Sequence, residues 1–406
     1  MARLGTTLCA AVVFLAGSAF AQREASFVVV PGVQLNAVSA DGDTAVGWTT
    51  NSFPPAAVRW TRASGVDVLR GPGGQELPYA RAYGVSWDGR VIAGCSRGTS
   101  PRVALAWIDG HDAVVLPGLP GVLDNDVGTV VSGNGRVIAG FSSAPDPGST
   151  SNSMHVLTWD EFGMHNLDGN EGSGTWPTAA SFGGEYIVGP AAQGTSVACY
   201  RWSASRGREF MAPWFLPLGA NADATVIVGT APSPDSGFFP AVLRLGQGVT
   251  AIPGAGSEGR AYGISADGRT IVGVGSGGVF IWDSHNGTRP LRTVASEQLG
   301  HAPGILSTAV ALAPDGRTIV GLAGGSGYDS YILRLRAPCA GDVDHGTGSG
   351  GRDGLVDGVD LTAFIDWMLD GDMRADLDDG SGTGRPDAAI TLDDLLYFIQ
   401  GYVEGC

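Results

Sequence analysis

The 406-residue chain reads as an all-β seven-bladed propeller, closed by an N-terminal strand and followed by a small all-α module with a duplicated loop-helix pattern. Three observations predict this. A motif with a period in the forties recurs seven times. A strand-like segment before the first copy matches the strand that the last copy lacks. An acidic C-terminal segment carries two matched Asp-rich loops, each leading into an amphipathic stretch.

The copies align on a closing glycine. They are "AVSADGDTAVG" ending at Gly47, "GVSWDGRVIAG" at Gly94, "TVVSGNGRVIAG" at Gly140, "ASFGGEYIVG" at Gly189, "ANADATVIVG" at Gly229, "ISADGRTIVG" at Gly273 and "LAPDGRTIVG" at Gly321. The intervals are 47, 46, 49, 40, 44 and 48 residues, the length of a propeller blade. Asp-Gly between two β-rich runs, as at Asp41-Gly42, Asp88-Gly89, Asp267-Gly268 and Asp315-Gly316, predicts a tight hairpin of type I′ with both central residues at positive φ. The Ile/Val run that follows is apolar on both faces, as a strand packed between sheets should be. A third strand ends in tryptophan at Trp60, Trp107, Trp159, Trp202 and Trp282, with Leu245 and Leu335 taking its place in the fifth and seventh copies. A tryptophan repeated in this way predicts blade-to-blade packing rather than a ligand platform. The seventh copy stops after "YILRL", whereas "SFVVVPG" at 26–32 resembles "AVVLPG" at 113–118. The first strand is therefore expected to complete the last sheet and remove its open edge.

Composition bounds the chemistry. The first 21 residues have the n-region, apolar run and small-x-small ending of a secretory signal. Cleavage is expected before Gln22, with propeller repeats over 26–336 and a second domain over 339–406. No other segment is long and apolar enough to span a bilayer, so an extracellular, surface-associated protein is expected. Net charge is −16, which disfavours nucleic acid. Residues 337–406 hold −12 of it, the mark of a separate acidic module. All 24 basic residues are arginine, which excludes Walker-type phosphate loops and Schiff-base chemistry. Beyond the signal the cysteines are Cys95, Cys199, Cys339 and Cys406. Cys339 and Cys406 bracket the acidic module and are expected to form a disulfide, whereas the pairing of Cys95 and Cys199 is open.

The two C-terminal copies each run from Asp-x-Asp through an eight-residue Gly-rich spacer to a second acidic cluster and a helix. Leu361, Phe364, Ile365, Met368 and Leu369 form one apolar stripe; Leu392, Leu395, Leu396, Ile399 and Tyr402 form the other. So small a core needs a staple or a metal, and carboxylate-rich loops suit calcium. On an EF-hand frame the first loop offers Asp342, Asp344, Asp353, the Leu355 carbonyl, Asp357 and Asp360. The second offers Asp376, Asp378, Asp387, the Ala389 carbonyl, Thr391 and Asp394. Asp366, Asp370 and Asp372 read as solvated.

These patterns resemble two families. The "ISxDGxxIVG" motif with its Trp-ended strand resembles the extracellular HAF repeat of exported bacterial proteins, which implies a surface propeller and assigns no reaction. The duplicated loop-helix ending in Gly405-Cys406 is similar to a type I dockerin of the Gly-Cys-ending variety found in planctomycete-like bacteria, although a standard loop has one residue where this chain has its eight-residue spacer. That resemblance implies calcium and a cohesin-like or cell-envelope partner. The propeller's own ligand stays unassigned.

Catalytic motifs are lacking: the sequence has no His-Glu-x-x-His and no Gly-x-Ser-x-Gly, and its six histidines are scattered. Two carboxylates near a propeller axis could hydrolyse a glycoside, but Asp41, Asp88, Asp267 and Asp315 occupy positions that the turn itself demands. A non-catalytic exported propeller, tethered or assembled through its calcium module, is the expected function. A secreted carbohydrate-active hydrolase with its active site in the propeller loops is the alternative.

Overall fold

A computed structural model describes residues 25–97, 102–119, 125–145, 152–168, 176–193, 196–233, 237–284, 286–324, 329–336, 343, 358–377 and 389–404. Seven four-stranded antiparallel sheets follow one another along the chain. Blade 2 is typical, with strands Arg81–Val85, Val91–Arg97, Arg102–Ile108 and Val114–Val115. Blade 7 takes Leu306–Leu312, Thr318–Ala323 and Ser330–Arg334 from the end of the repeat region and Ser26–Val30 from its start. The borrowed strand pairs antiparallel in register from Ser26↔Arg334 to Val30↔Ser330, as the matching segments predict.

The hairpin between the first two strands differs from the expected type I′ turn. Gly89 N–H donates to Ser86 O at 3.0 Å, so Asp88 is the third residue of a Ser-x-Asp-Gly turn. Only the glycine of each pair has positive φ, 67° to 74° in blades 1, 2, 3, 6 and 7. The aspartate acts through its side chain: Asp88 Oδ1 accepts Arg90 N–H at 3.0 Å and the Ser86 hydroxyl at 2.5 Å, while Ser86 Oγ accepts Val91 N–H at 2.9 Å. Side-chain acceptors thus replace the ladder bonds the loop gives up.

Near the middle of the first strand the pairing slips by one residue in six blades, leaving Asn36, Tyr83, Thr129, Leu218, Tyr262 and Val310 as bulge residues. The bulge explains the closing glycine. It drives the carbonyl of the first strand against that glycine, so a Cβ on Gly94 would lie 2.1 Å from Arg81 O, and one on Gly47 1.9 Å from Gln34 O.

Adjacent blades are joined at the hairpin end by backbone bonds that run round the ring. Ala40 N–H donates to Trp87 O, Trp87 N–H to Gly133 O, Phe182 N–H to Ala222 O, Ala222 N–H to Ala266 O and Ala266 N–H to Pro314 O, all at 2.6–3.0 Å. Pro314 has no N–H to continue the series. At that junction Arg334 Nη1 donates to Asp41 O at 2.7 Å. Tryptophan packs between blades as expected: Trp107 is fully buried in a cluster with Val46 of blade 1, and its Nε1–H reaches Arg70 O at 2.7 Å. The register corrects two equivalences. The tryptophan position is filled by Leu243, opposite Ile227, and Leu333, opposite Ile319, rather than by Leu245 and Leu335.

Three helices are described. α1 (Leu291–Leu299) follows blade 6 and ends at Gly300 in the left-handed region. Its Leu291, Val294 and Ala295 face the blade 6–7 core with Tyr331 and Leu333. α2 (Gly358–Asp370) and α3 (Leu392–Glu404) share a separate core, in which Phe364 and Phe398 stack at 4.1 Å between centroids. The helix stripes are rotated from the expected ones. Trp367 and Phe398 are buried, whereas Leu369, Leu392 and Leu396 are exposed. No helix among the described residues is long and apolar enough to cross a membrane.

Candidate functional site

Asp360 and Asp394 stand in the first turns of α2 and α3, where a carboxylate also complements the helix dipole. Both are buried, at 1% and 0% exposure. Each turns back onto the chain seventeen residues upstream: Asp360 Oδ1 accepts Val343 N–H at 2.7 Å, and Asp394 Oδ1 accepts Leu377 N–H at 2.5 Å. Asp394 Oδ2 also accepts the N–H of Thr391 at 2.7 Å and its hydroxyl at 3.4 Å.

In sequence Val343 is the middle residue of Asp342-Val-Asp344, and Leu377 is the middle residue of Asp376-Leu-Asp378. The carboxylate in the first turn of each helix is therefore bonded to the backbone of a residue that, in sequence, lies between two aspartates. Asp376 is buried as well, while Ala389 and Thr391 are exposed just before α3. Buried carboxylates need donors or a cation to stay charged. In sequence each loop has acidic residues at both ends, a donor set that suits a hard cation such as calcium. Asp342, Asp344, Asp353, Leu355, Asp357, Asp378, Asp387, Cys339, Cys406 and the expected signal lie outside the described residues. Among the described residues no three acidic, His or Cys side chains form a metal cluster. The backbone contact was not foreseen. Its sequence signal is the common 34-residue offset that relates Asp342 to Asp376 and Asp360 to Asp394.

Asp372 is ion-paired rather than simply solvated. Arg374 donates to its Oδ2 from Nε at 3.0 Å and Nη2 at 2.5 Å, holding its carboxyl down at about 2. The same guanidinium lies 4.6 Å over the Trp367 ring. Cys95 and Cys199 are both free and buried, in blades 2 and 4. Burial pushes the Cys199 thiol up to about 12, which suits a packing residue, not a nucleophile.

The four repeated aspartates are spent on their hairpins. Asp41, Asp88, Asp267 and Asp315 each accept the N–H two residues ahead at 2.8–3.0 Å. The six bulge residues of the innermost strands are all half-buried, and none is a carboxylate.

No protein-family model and no curated protein matches the chain. Solved structures of similar shape include the β-propeller domain of the trilobed protease from Pyrococcus furiosus (10% identity, 64% of this chain and 84% of that one, TM-score 0.47). TolB from Acinetobacter baumannii is 14% identical over 76% of this chain and 79% of its own, with a TM-score of 0.42. XC5397, a gluconolactonase of Xanthomonas campestris, is 15% identical over 77% of this chain and 89% of its own, with a TM-score of 0.40. The proteins named differ in activity, and at these values none of their activities passes to this chain.

Proposed function

We propose that this is an exported, non-catalytic binding or scaffold propeller, tethered at the cell surface through a calcium-dependent dockerin-like module. The observation that carries the reading is the matched pair of closures, Asp360 on Val343 and Asp394 on Leu377. Two buried carboxylates, bonded in phase to the backbone at the centre of two Asp-x-Asp sequences, fit a duplicated cation loop. A partner surface accompanies them on α3. Leu392, Leu396, Ile399 and Val403 are exposed and recur at helical spacing, so the helix has an apolar stripe besides the one in its own core. The dockerin resemblance assigns that kind of surface to a cohesin-like or cell-envelope protein. The absence of carboxylates from the bulge ring supports a binding role for the propeller over a hydrolase.

Calorimetric titration of the full chain with calcium tests the reading. Two sites are expected, with affinity between micromolar and millimolar. Asp360→Asn and Asp394→Asn should each remove one site and leave the other. No heat up to millimolar calcium would overturn the calcium role, and with it the proposed tethering.

A further inference from the structure

Opposite the Asp-Gly hairpins, the propeller has an end formed by the connections between second and third strands and by the starts of the first strands. At that end, between blades 1 and 2, an open cleft of about 140 Å³ is lined by Arg81, Arg97 and Arg102, with Tyr79, Tyr83 and Pro55 beside them. Buried Cys95 also borders it. Its space far exceeds the ~30 Å³ share of one water and falls short of the ~300 Å³ of a drug-sized pocket. It suits one small group.

The charges in this cleft are unusual for the protein. Arg97 and Arg102 are direct partners across the ladder between the second and third strands. Like charges placed directly opposite destabilise a sheet. Among the described residues no ion pair to a carboxylate involves Arg81, Arg97 or Arg102, and no acidic residue lines the cleft. The four residues between the two arginines in sequence, Gly98-Thr-Ser-Pro101, carry no charge. Among the described residues, three positive charges thus converge without a carboxylate ion pair, on a chain of net −16. Arg81 is also positioned: its guanidinium lies 5.0 Å over the Trp48 ring, which in turn sits 5.7 Å from Tyr83.

The repeat supplies an internal comparison. Blade 6 repeats "RAYG" at 260–263, so Arg260 and Tyr262 match Arg81 and Tyr83. Aligned on the closing glycine and the tryptophan, blade 6 has Val274, Ser276 and Gly277 where blade 2 has Cys95, Arg97 and Arg102. The added arginines are a property of blade 2 and not of the repeat.

We propose that this cleft binds an oxyanion, a carboxylate, sulfate or phosphate, carried on a saccharide ring. Arginine forks bind such groups through paired N–H donors. A bound anion would also relieve the opposition of Arg97 and Arg102. The ring would rest on the rim, where half-exposed Tyr79 meets the exposed Phe53 edge-on at 5.4 Å and offers an apolar face beside the charges. The inference gives the propeller of the proposed function a ligand class, and it makes no use of the C-terminal module.

Calorimetry on the full chain, run in chelator so that calcium binding plays no part, tests it with inorganic sulfate, inorganic phosphate, glucuronate and glucose. One or more of the anions should bind in the micromolar to millimolar range, more weakly as salt is raised, and glucose should give no heat. Glucuronate binding assigns a uronate; sulfate or phosphate binding without it assigns the matching ester. Arg97→Ala/Arg102→Ala should weaken the anion about tenfold or more. Arg260→Ala, at the matching place in blade 6, should leave it unchanged. Thermal unfolding should show the double variant folded and no less stable, since it removes a like-charge pair. Absence of heat with all three anions would overturn the proposal, as would a double variant that binds like the parent chain.

Discussion

At the scale of single residues, the closing glycine of each repeat was visible in the sequence, but its cause was not. Nothing in "VIAG" announces that the first strand carries a bulge, because the bulge residue varies from asparagine to tyrosine to leucine. The paired register makes the cause plain: the bulge presses a carbonyl onto the glycine. Gly94→Ala should therefore destabilise the propeller by roughly 1–3 kcal/mol, because the added methyl meets Arg81 O, a backbone atom that cannot rotate away. Denaturant unfolding monitored by tryptophan fluorescence measures this, and a change near zero would show that the bulge relaxes. The hairpin was misread for a related reason. Asp-Gly serves both a two-residue type I′ turn and the end of an x-x-Asp-Gly turn; the serine two residues earlier marks the second kind in blades 1, 2 and 6, whereas blade 7 makes it with Ala313. In blade 5 Asn221 does the work of that serine: its Oδ1 accepts the N–H groups of Thr225 and Val226. Ala224 takes the glycine's place at a φ of 54°, which is why that copy looks degenerate in sequence.

At the scale of elements, strand order and ring closure were legible because the first strand repeats a motif the last blade lacks. Its contribution is packing as well as pairing. Val30 is buried with Val320 and Ile332, Phe27 stacks on Tyr331 at 5.9 Å, and Gly32 N–H reaches Asp329 Oδ1 at 2.7 Å. A chain lacking residues 26–32 should lose about 3 kcal/mol or more, the worth of roughly two buried apolar side chains. Calorimetric melting should show the loss, and a truncated chain that melts with the parent would refute closure by this strand. α1 passed unnoticed although Leu291, Val294, Ala295 and Leu299 have helical spacing before Gly300. A nine-residue helix inside an all-β repeat is too short to dominate the pattern. The apolar faces of α2 and α3 were misplaced because both helices are apolar on more than one side. Periodicity cannot choose between two stripes, and the stacking of Phe364 on Phe398 decides which is buried.

At the scale of the whole molecule, charge separates a nearly neutral propeller from a strongly acidic tail, and this division was readable from composition. What composition could not show is that Asp360 and Asp394 each fold back onto a backbone N–H seventeen residues upstream. That matched contact relates the two copies, and it places the proposed function in the module rather than in the propeller. Without a cation the clustered carboxylates repel one another, and two short helices bury little surface in return. Cation binding should then become folding free energy for this part of the chain alone. Hydrogen exchange of the full-length protein in calcium and in chelator tests this most directly. Calcium should slow exchange in residues 358–370 and 392–404 together, with the seven blades unchanged, whereas identical exchange of both helices in the two conditions would contradict the account.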